Sequence, residues 1–132
     1  MKSSRDDALR WLRQAENDLA FARVALREGF HSQACFLSQQ VAEKGMKALL
    51  YHHGARSVTG HSLAALLVEL GDTHPKLSEI AGSLTVLDQY YIPTRYPDAL
   101  PGSAPFEVFG STQAEGAIET CGIGRGDGKA GN

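Results

Sequence analysis

The fold of this chain is decided by residues 34–50, which read ACFLSQQVAEKGMKALL. Apolar or small side chains recur there at the three- and four-residue steps of a helix, and the series comprises Ala34, Leu37, Val41, Gly45, Ala48, Leu49 and His52. The pattern predicts an amphipathic helix that Ser32 caps and Gly54 ends. Because glycine inside a helix costs about 1 kcal/mol relative to alanine, Gly45 indicates a close approach of a neighbouring helix.

A second long helix precedes this one. Its apolar face is formed by Leu12, Ala15, Leu19, Ala22 and Leu26. We expect it to run from Asp6 to Glu28, with Ser4 and Asp7 as an imperfect capping box and Gly29 as its stop. Since only about four residues join the two helices, they must pack antiparallel.

The remainder of the chain predicts shorter helices. An apolar segment at residues 63–70 follows His61-Ser62 and ends at Gly71, and a further helix begins at Pro75. The stripe of that further helix comprises Leu77, Ile80, Leu84, Leu87 and Tyr91. Four prolines at positions 93, 97, 101 and 105 keep the next segment irregular, and a last helix runs from Ser111 through Ile118.

These elements define an all-α bundle of four to five helices in a single domain, residues 1–121. Seven of the fourteen glycines lie between Gly110 and Gly131, so we expect residues 122–132 to form a flexible tail. No segment alternates convincingly as a strand, and there are no internal repeats.

The composition is that of one globular domain, with 132 residues, 42% apolar content and a net charge of −2. Residues 1–56 hold nine of the thirteen Lys and Arg and six of the fifteen Asp and Glu, a local balance of +3. Such a basic half attracts phosphates, although mixed-sign surface helices often have the same balance.

The chain has neither an apolar signal core near its N-terminus nor the roughly 20 apolar residues that cross a bilayer. Cys35 and Cys121 have no metal-ligand spacing between them. We therefore predict a cytoplasmic protein with reduced cysteines and no membrane anchor.

Three stretches together resemble the HEPN (higher eukaryote and prokaryote nucleotide-binding) family. They are residues 8–19 (ALRWLRQAENDL), residues 34–50, and residues 87–98 (LDQYYIPTRYPD), with His61-Ser62-Leu63 between the last two. The resemblance covers about residues 6–120, and the second and third motifs at this distance are specific.

The resemblance implies an up-and-down bundle that forms a homodimer and acts beside a minimal nucleotidyltransferase in a toxin–antitoxin-like pair. Many members are metal-independent ribonucleases that carry Arg-x(4–6)-His late in the bundle. In this chain no histidine follows Arg95. The departure puts that chemistry in doubt, so the chain is not assigned as an enzyme.

One candidate site is a stripe on the second helix. Gln40, Lys44, Lys47 and Tyr51 lie at i, i+4, i+7 and i+11, where the two ammonium groups and the amide would face phosphate. Glu43 is placed to pair with Lys47 at i, i+4. The alternative is a solvated face or a dimer seam with neutralising pairs.

A second candidate site is the proline-braced turn around Arg95. Its guanidinium would bind phosphate, and Tyr90, Tyr91 or Tyr96 would stack on a base. The resemblance to the family's two-part systems implies an alternative, in which one of these tyrosine hydroxyls accepts a nucleotide from the partner enzyme. In the alternative, Asp98 or Asp88 pairs with Arg95 and locks the turn, either alone or as the scaffold of a site.

The histidines offer little further chemistry at this level. His61 is a candidate general base or ligand contact at a helix start, although such residues more often cap or pack. His31, His52, His53 and His74 lack partners at useful spacing, so we predict no metal and no cofactor.

Three functions follow from these observations. The first is a non-catalytic dimeric module that binds a nucleotide or an RNA end. The second is a ribonuclease that uses Arg95 with His61 or Asp98, and the third is a structural dimer adaptor.

Overall fold

The computed structural model describes residues 4–124, whose regular secondary structure is all helical and includes no strand. The α-helices are α1 (Ser4–Arg27), α2 (His31–His52), α3 (Leu63–Leu70), α4 (Pro75–Glu79), α5 (Ala81–Gln89), α6 (Pro105–Val108) and α7 (Ser111–Gly124). Short 3₁₀ turns occupy Gly71–Thr73 and Pro97–Ala99. The predicted all-α bundle is confirmed.

The central element is α2, which contacts α1, α3, α5, α6 and α7. The chain reverses between α1 and α2 at Gly29, whose φ of +86° favours glycine. Buried alanines at positions 15, 22, 34 and 42 let these two helices approach closely over much of their length. Gly45 is also buried, as expected of a close helix approach.

The core lies between α2 and the shorter helices. Its fully buried large side chains are Leu19, Met46, Leu63, Leu66, Leu84 and Leu87. Cys35 and Cys121 are both buried and form no disulfide, and burial raises the pKa of Cys35 to about 12. No helix in the described part of the chain is long and apolar enough to cross a membrane.

Both predicted N-terminal caps are wrong. Ser4 already lies within α1, and its hydroxyl donates to the carbonyl of Ala55 at 3.0 Å. Ser32 lies inside α2, where its hydroxyl donates to the Gln33 side chain at 3.1 Å. The residue preceding α2 is Phe30, which supplies no side-chain cap. Ser4 instead contacts the loop that follows α2, and α2 begins one residue before Ser32.

The helix predicted from Pro75 to Tyr91 is divided at Ile80. The Ile80 N–H bonds to the carbonyl of Leu77 at 3.2 Å, a tighter i to i−3 closure that ends α4. The helical pattern continues across the break, since Leu77 and Leu84 are both buried. Periodicity therefore identified the buried face but not the bend.

The end of the chain contains more helix than predicted. Pro105 begins α6, where the Glu107 carboxylate accepts the N–H of Ala104 at 2.9 Å. α7 continues to Gly124, so the first three residues of the predicted tail, 122–124, belong to this helix. The rest of the predicted tail, residues 125–132, lies outside the described residues.

Candidate functional site

Arg95 lies in the turn after α5, against three aromatic rings. Its guanidinium carbon is 4.6 Å from the ring centre of Phe36, 4.5 Å from that of Tyr91 and 4.8 Å from that of Tyr96. Its Nε donates to the carbonyl of Tyr91 at 3.0 Å. Arg95 is therefore held by π faces and one backbone bond, so its charge remains available.

The predicted Arg95–aspartate lock is absent among residues 4–124. Asp98 is exposed in the 3₁₀ turn. Asp88 instead accepts the N–H of Leu63 at 2.7 Å, the N–H of Ala64 at 3.1 Å and the hydroxyl of Ser62 at 3.3 Å. Asp88 thus joins α5 to the first turn of α3 and fixes the backbone next to His61.

His61 connects the Arg95 turn to α2. Its ring stacks on Tyr91 with centres 5.0 Å apart and planes at 19°. Its Nδ1 lies 3.3 Å from both carboxylate oxygens of Glu43. The amide of Gln39 donates to the His61 carbonyl at 3.0 Å. The His61 side chain is nevertheless 60% exposed, so it is oriented by the protein and open to solvent.

Glu43 and Lys47 form the predicted i, i+4 pair, with Lys47 Nζ 2.9 Å from Glu43 Oε2. Both side chains are buried, and Lys47 Nζ also lies 5.1 Å from the ring centre of Trp11. Gln40 donates to the side-chain oxygen of Gln39 at 2.8 Å. Lys47 is therefore neutralised inside the bundle and presents no ammonium group to a ligand.

Lys44 contacts α1 rather than the Arg95 turn. Its Nζ pairs with Asp18 of α1, whose other carboxylate oxygen accepts from Gln14 at 3.0 Å. Lys44 lines an open groove between α1 and α2 together with Arg10, Trp11, Arg13 and Gln14. Sequence reasoning missed the α1 members of this groove, although the positive balance of residues 1–56 was a signal for them.

Only some of the predicted tyrosines join Arg95. Tyr91 contacts both His61 and Arg95, and Tyr96 is 49% exposed beside Arg95. Tyr90 packs edge-on against Phe109 with ring centres 5.4 Å apart. Burial and the neighbouring Cys35 raise the pKa of the Tyr90 hydroxyl.

The described residues contain no group of three or more His, Cys, Asp or Glu side chains arranged to hold a metal ion. The histidines do meet in pairs, and Nε2 of His53 lies 2.9 Å from Nε2 of His74. Burial and the neighbouring His53 and His52 lower the pKa of His74.

These observations define a helical-bundle protein with a cation–aromatic surface beside the N-terminal half of its central helix. The HEPN domain family model matches residues 8–123, so the chain belongs to the HEPN family. The predicted family is thereby confirmed, as is its up-and-down bundle.

Solved structures of related proteins have the same fold. The crystal structure of TT1696 from Thermus thermophilus matches with a TM-score of 0.85 and 34% identity, covering 93% of this chain and 96% of that one. ST0689, described as an archaeal HEPN homologue, matches with a TM-score of 0.74 and 37% identity, covering 99% and 98% of the two chains.

A curated relative adds a functional description. The Methanocaldococcus jannaschii protein named "Putative toxin MJ1304" is 26% identical over 117 residues, which cover 83% of this chain and 77% of that protein.

Proposed function

We propose that this HEPN protein binds a nucleotide or an RNA end through the Arg95 surface, defined as His61, Tyr91, Arg95 and Tyr96. The observation that carries the proposal is the environment of Arg95, whose guanidinium is fixed by rings. No carboxylate among the described side chains lies within ion-pair distance of it. A positioned cation with an uncompensated charge is suited to phosphate.

The neighbouring groups fit the rest of a nucleotide. Tyr96 offers an exposed ring for base stacking, which is worth about 1–3 kcal/mol per base. His61 offers an exposed ring nitrogen within the same contact network. Of the predicted candidates, Gln40 supports this surface through Gln39, whereas Lys44 and Lys47 contribute no direct contact to it.

The test is a binding titration with ATP and with a short single-stranded RNA, for wild type and for Arg95→Gln. Since a hydrogen bond to a charged group is worth about 1.5–3 kcal/mol, we expect at least a ten-fold loss of affinity. Arg56→Gln is the matched control, because Arg56 is exposed but lies in the loop after α2. Equal affinity of Arg95→Gln and wild type would remove the proposal, and absence of any binding would favour the structural adaptor.

We further propose that the protein is a cytoplasmic homodimer and the toxin-like half of a pair with a minimal nucleotidyltransferase. Family membership and the toxin name of the relative support this. Tyr96 is the preferred acceptor of a transferred nucleotide because it is the most exposed of the three candidate tyrosines. Incubation with the partner enzyme and ATP, followed by mass spectrometry of wild type and Tyr96→Phe, tests the transfer. Light scattering tests the dimer.

A ribonuclease is the second candidate, and the contact between Glu43 and His61 favours it. A buried carboxylate that orients an exposed imidazole is the arrangement of a general base, and Arg95 would stabilise the phosphorane charge. Labelled RNA incubated with wild type, His61→Gln and Arg95→Gln separates the functions. Cleavage lost in both variants would establish the enzyme, and equal background cleavage in all three would exclude it.

A further inference from the structure

We propose that the groove between α1 and α2 binds the phosphates of a single-stranded RNA whose end occupies the Arg95 surface. This α1–α2 groove is lined by Arg10, Trp11, Arg13, Gln14 and Lys44. The inference rests on the proposed function and extends it, because it selects an RNA strand over a mononucleotide as the ligand. Three of the nine Lys and Arg of the basic segment, residues 1–56, line this groove.

The charge of the groove suits a phosphate chain. Three of its five lining residues are cations, none is a carboxylate, and its volume is about 640 Å³. Arg10 and Arg13 lie one turn apart on α1, and both are exposed. Guanidinium groups at this spacing offer forked donors to successive phosphates.

Two carboxylates, Asp7 and Asp18, bond side chains that line the groove. Asp7 bonds Arg10 at 3.1 Å, but the Arg10 side chain is still 55% exposed. Asp18 accepts from both Lys44 and Gln14 and is itself only 12% exposed, so its charge is compensated locally. Arg13 adds a third cation to the lining of the groove.

Trp11 gives the groove a fixed apolar wall. Its ring packs on Tyr51 with centres 6.3 Å apart and planes at 17°, and Lys47 Nζ lies over the ring. The indole is therefore held by contacts on the α2 side while its remaining surface lines the groove. An apolar wall beside guanidinium groups matches a sugar or base beside its phosphate.

The groove and the Arg95 surface flank one segment of α2. Gln40 and Lys44 are one turn apart, and Gln40 contacts Gln39, whose amide holds the His61 carbonyl. On the buried side of α2, Lys47 contacts both Trp11 and Glu43, and Glu43 contacts His61. Contacts through α2 thus connect the two regions, and we expect one RNA strand, but not a mononucleotide, to contact both.

The experiment measures fluorescence anisotropy of the full chain with labelled RNAs of about two and about ten nucleotides. The groove variant is R10Q/R13Q. The matched control is R23Q/R27Q, which removes the same charge from exposed positions of the same helix. Because all four arginines are exposed, both variants should fold, and circular dichroism checks this.

We expect the groove variant to lose roughly ten-fold in affinity for the longer RNA and nothing for the dinucleotide. Its slope of log K against log salt should fall by about 1.4, the value for two phosphate contacts of a single strand. The control should keep the wild-type slope.

Three results would overturn the inference. They are equal losses in the groove and control variants, an equal loss for short and long RNA, or wild-type binding by the groove variant. Failure of the proposed function is recognised separately, since Arg95→Gln would then bind the dinucleotide as well as wild type does.

Discussion

Lys47 and Arg95 are both cations that the sequence proposed as phosphate ligands, yet their surroundings differ. Lys47 is 6% exposed and paired with the equally buried Glu43. Arg95 is half-buried against aromatic rings, which attract a cation without cancelling its charge. The Glu43 carboxylate, four residues before Lys47, neutralises that lysine, whereas the aromatic rings around Arg95 leave its positive charge available to a ligand.

The largest effect should follow from breaking the Lys47 pair. Lys47→Met leaves the Glu43 carboxylate buried without its ammonium partner, and we expect the free energy of unfolding to fall by about 3 kcal/mol or more. Urea denaturation followed by circular dichroism measures this. The double variant E43Q/K47M should recover part of the loss because it removes the isolated charge.

Lys44→Met serves as the comparison for Lys47, because the Lys44 side chain is 21% exposed in its pair with Asp18. A change below about 1 kcal/mol is expected there. Similar losses for the two lysine variants would contradict the distinction between a buried and a solvated pair.

A smaller effect is expected at the scaffold of the Arg95 surface. Asp88→Ala removes the acceptor for two backbone N–H groups of α3 and should lower the free energy of unfolding by about 1–2 kcal/mol. It should also weaken ligand binding, since Asp88 fixes the segment that carries His61. Thermal melts and ATP titrations measure the two effects.

Asp98→Ala is the control for Asp88, since both changes remove one carboxylate near Arg95 and Asp98 is exposed. We expect wild-type stability and binding. If Asp98→Ala weakened binding as much as Asp88→Ala, the assignment of Asp88 as the scaffold would be wrong.

Much of the fold was predictable because its information is local. The spacing of Ala15, Leu19 and Val41 identified the core faces of α1 and α2, and glycines marked the turns. The break at Ile80 was not predictable, because a helical pattern persists on both sides of a bend.

The sequence identified residues of the site but not the contacts between them. The motifs identified His61 and Arg95, but a contact between His61 and Glu43, 18 positions apart, depends on tertiary packing. The predicted partners of Arg95 were wrong. Charge complementarity favoured Asp88 or Asp98, but the Asp88 carboxylate accepts hydrogen bonds from the N–H groups of α3. The α1–α2 groove was missed because its arginines and Lys44 lie on different helices.

The smallest effect concerns His74, a residue whose neutral form is favoured by folding. The pKa of His74 is lowered by burial and by His53 and His52, and its Nε2 lies 2.9 Å from that of His53. The unfolded chain, with a histidine pKa near 6.5, then binds more protons than the folded chain below that pH. Stability should therefore fall as the pH drops below about 6.5, and His74→Gln should reduce this fall.

Thermal melts at about pH 5.5 and about pH 7.5 measure the difference. His31→Gln is the control, because His31 lies at the N-terminal end of α2, whereas His52 and His53 lie at its C-terminal end. A pH dependence that His74→Gln leaves unchanged would show that the imidazole pair does not select the neutral state, and that the other titrating groups of the fold set the acid response.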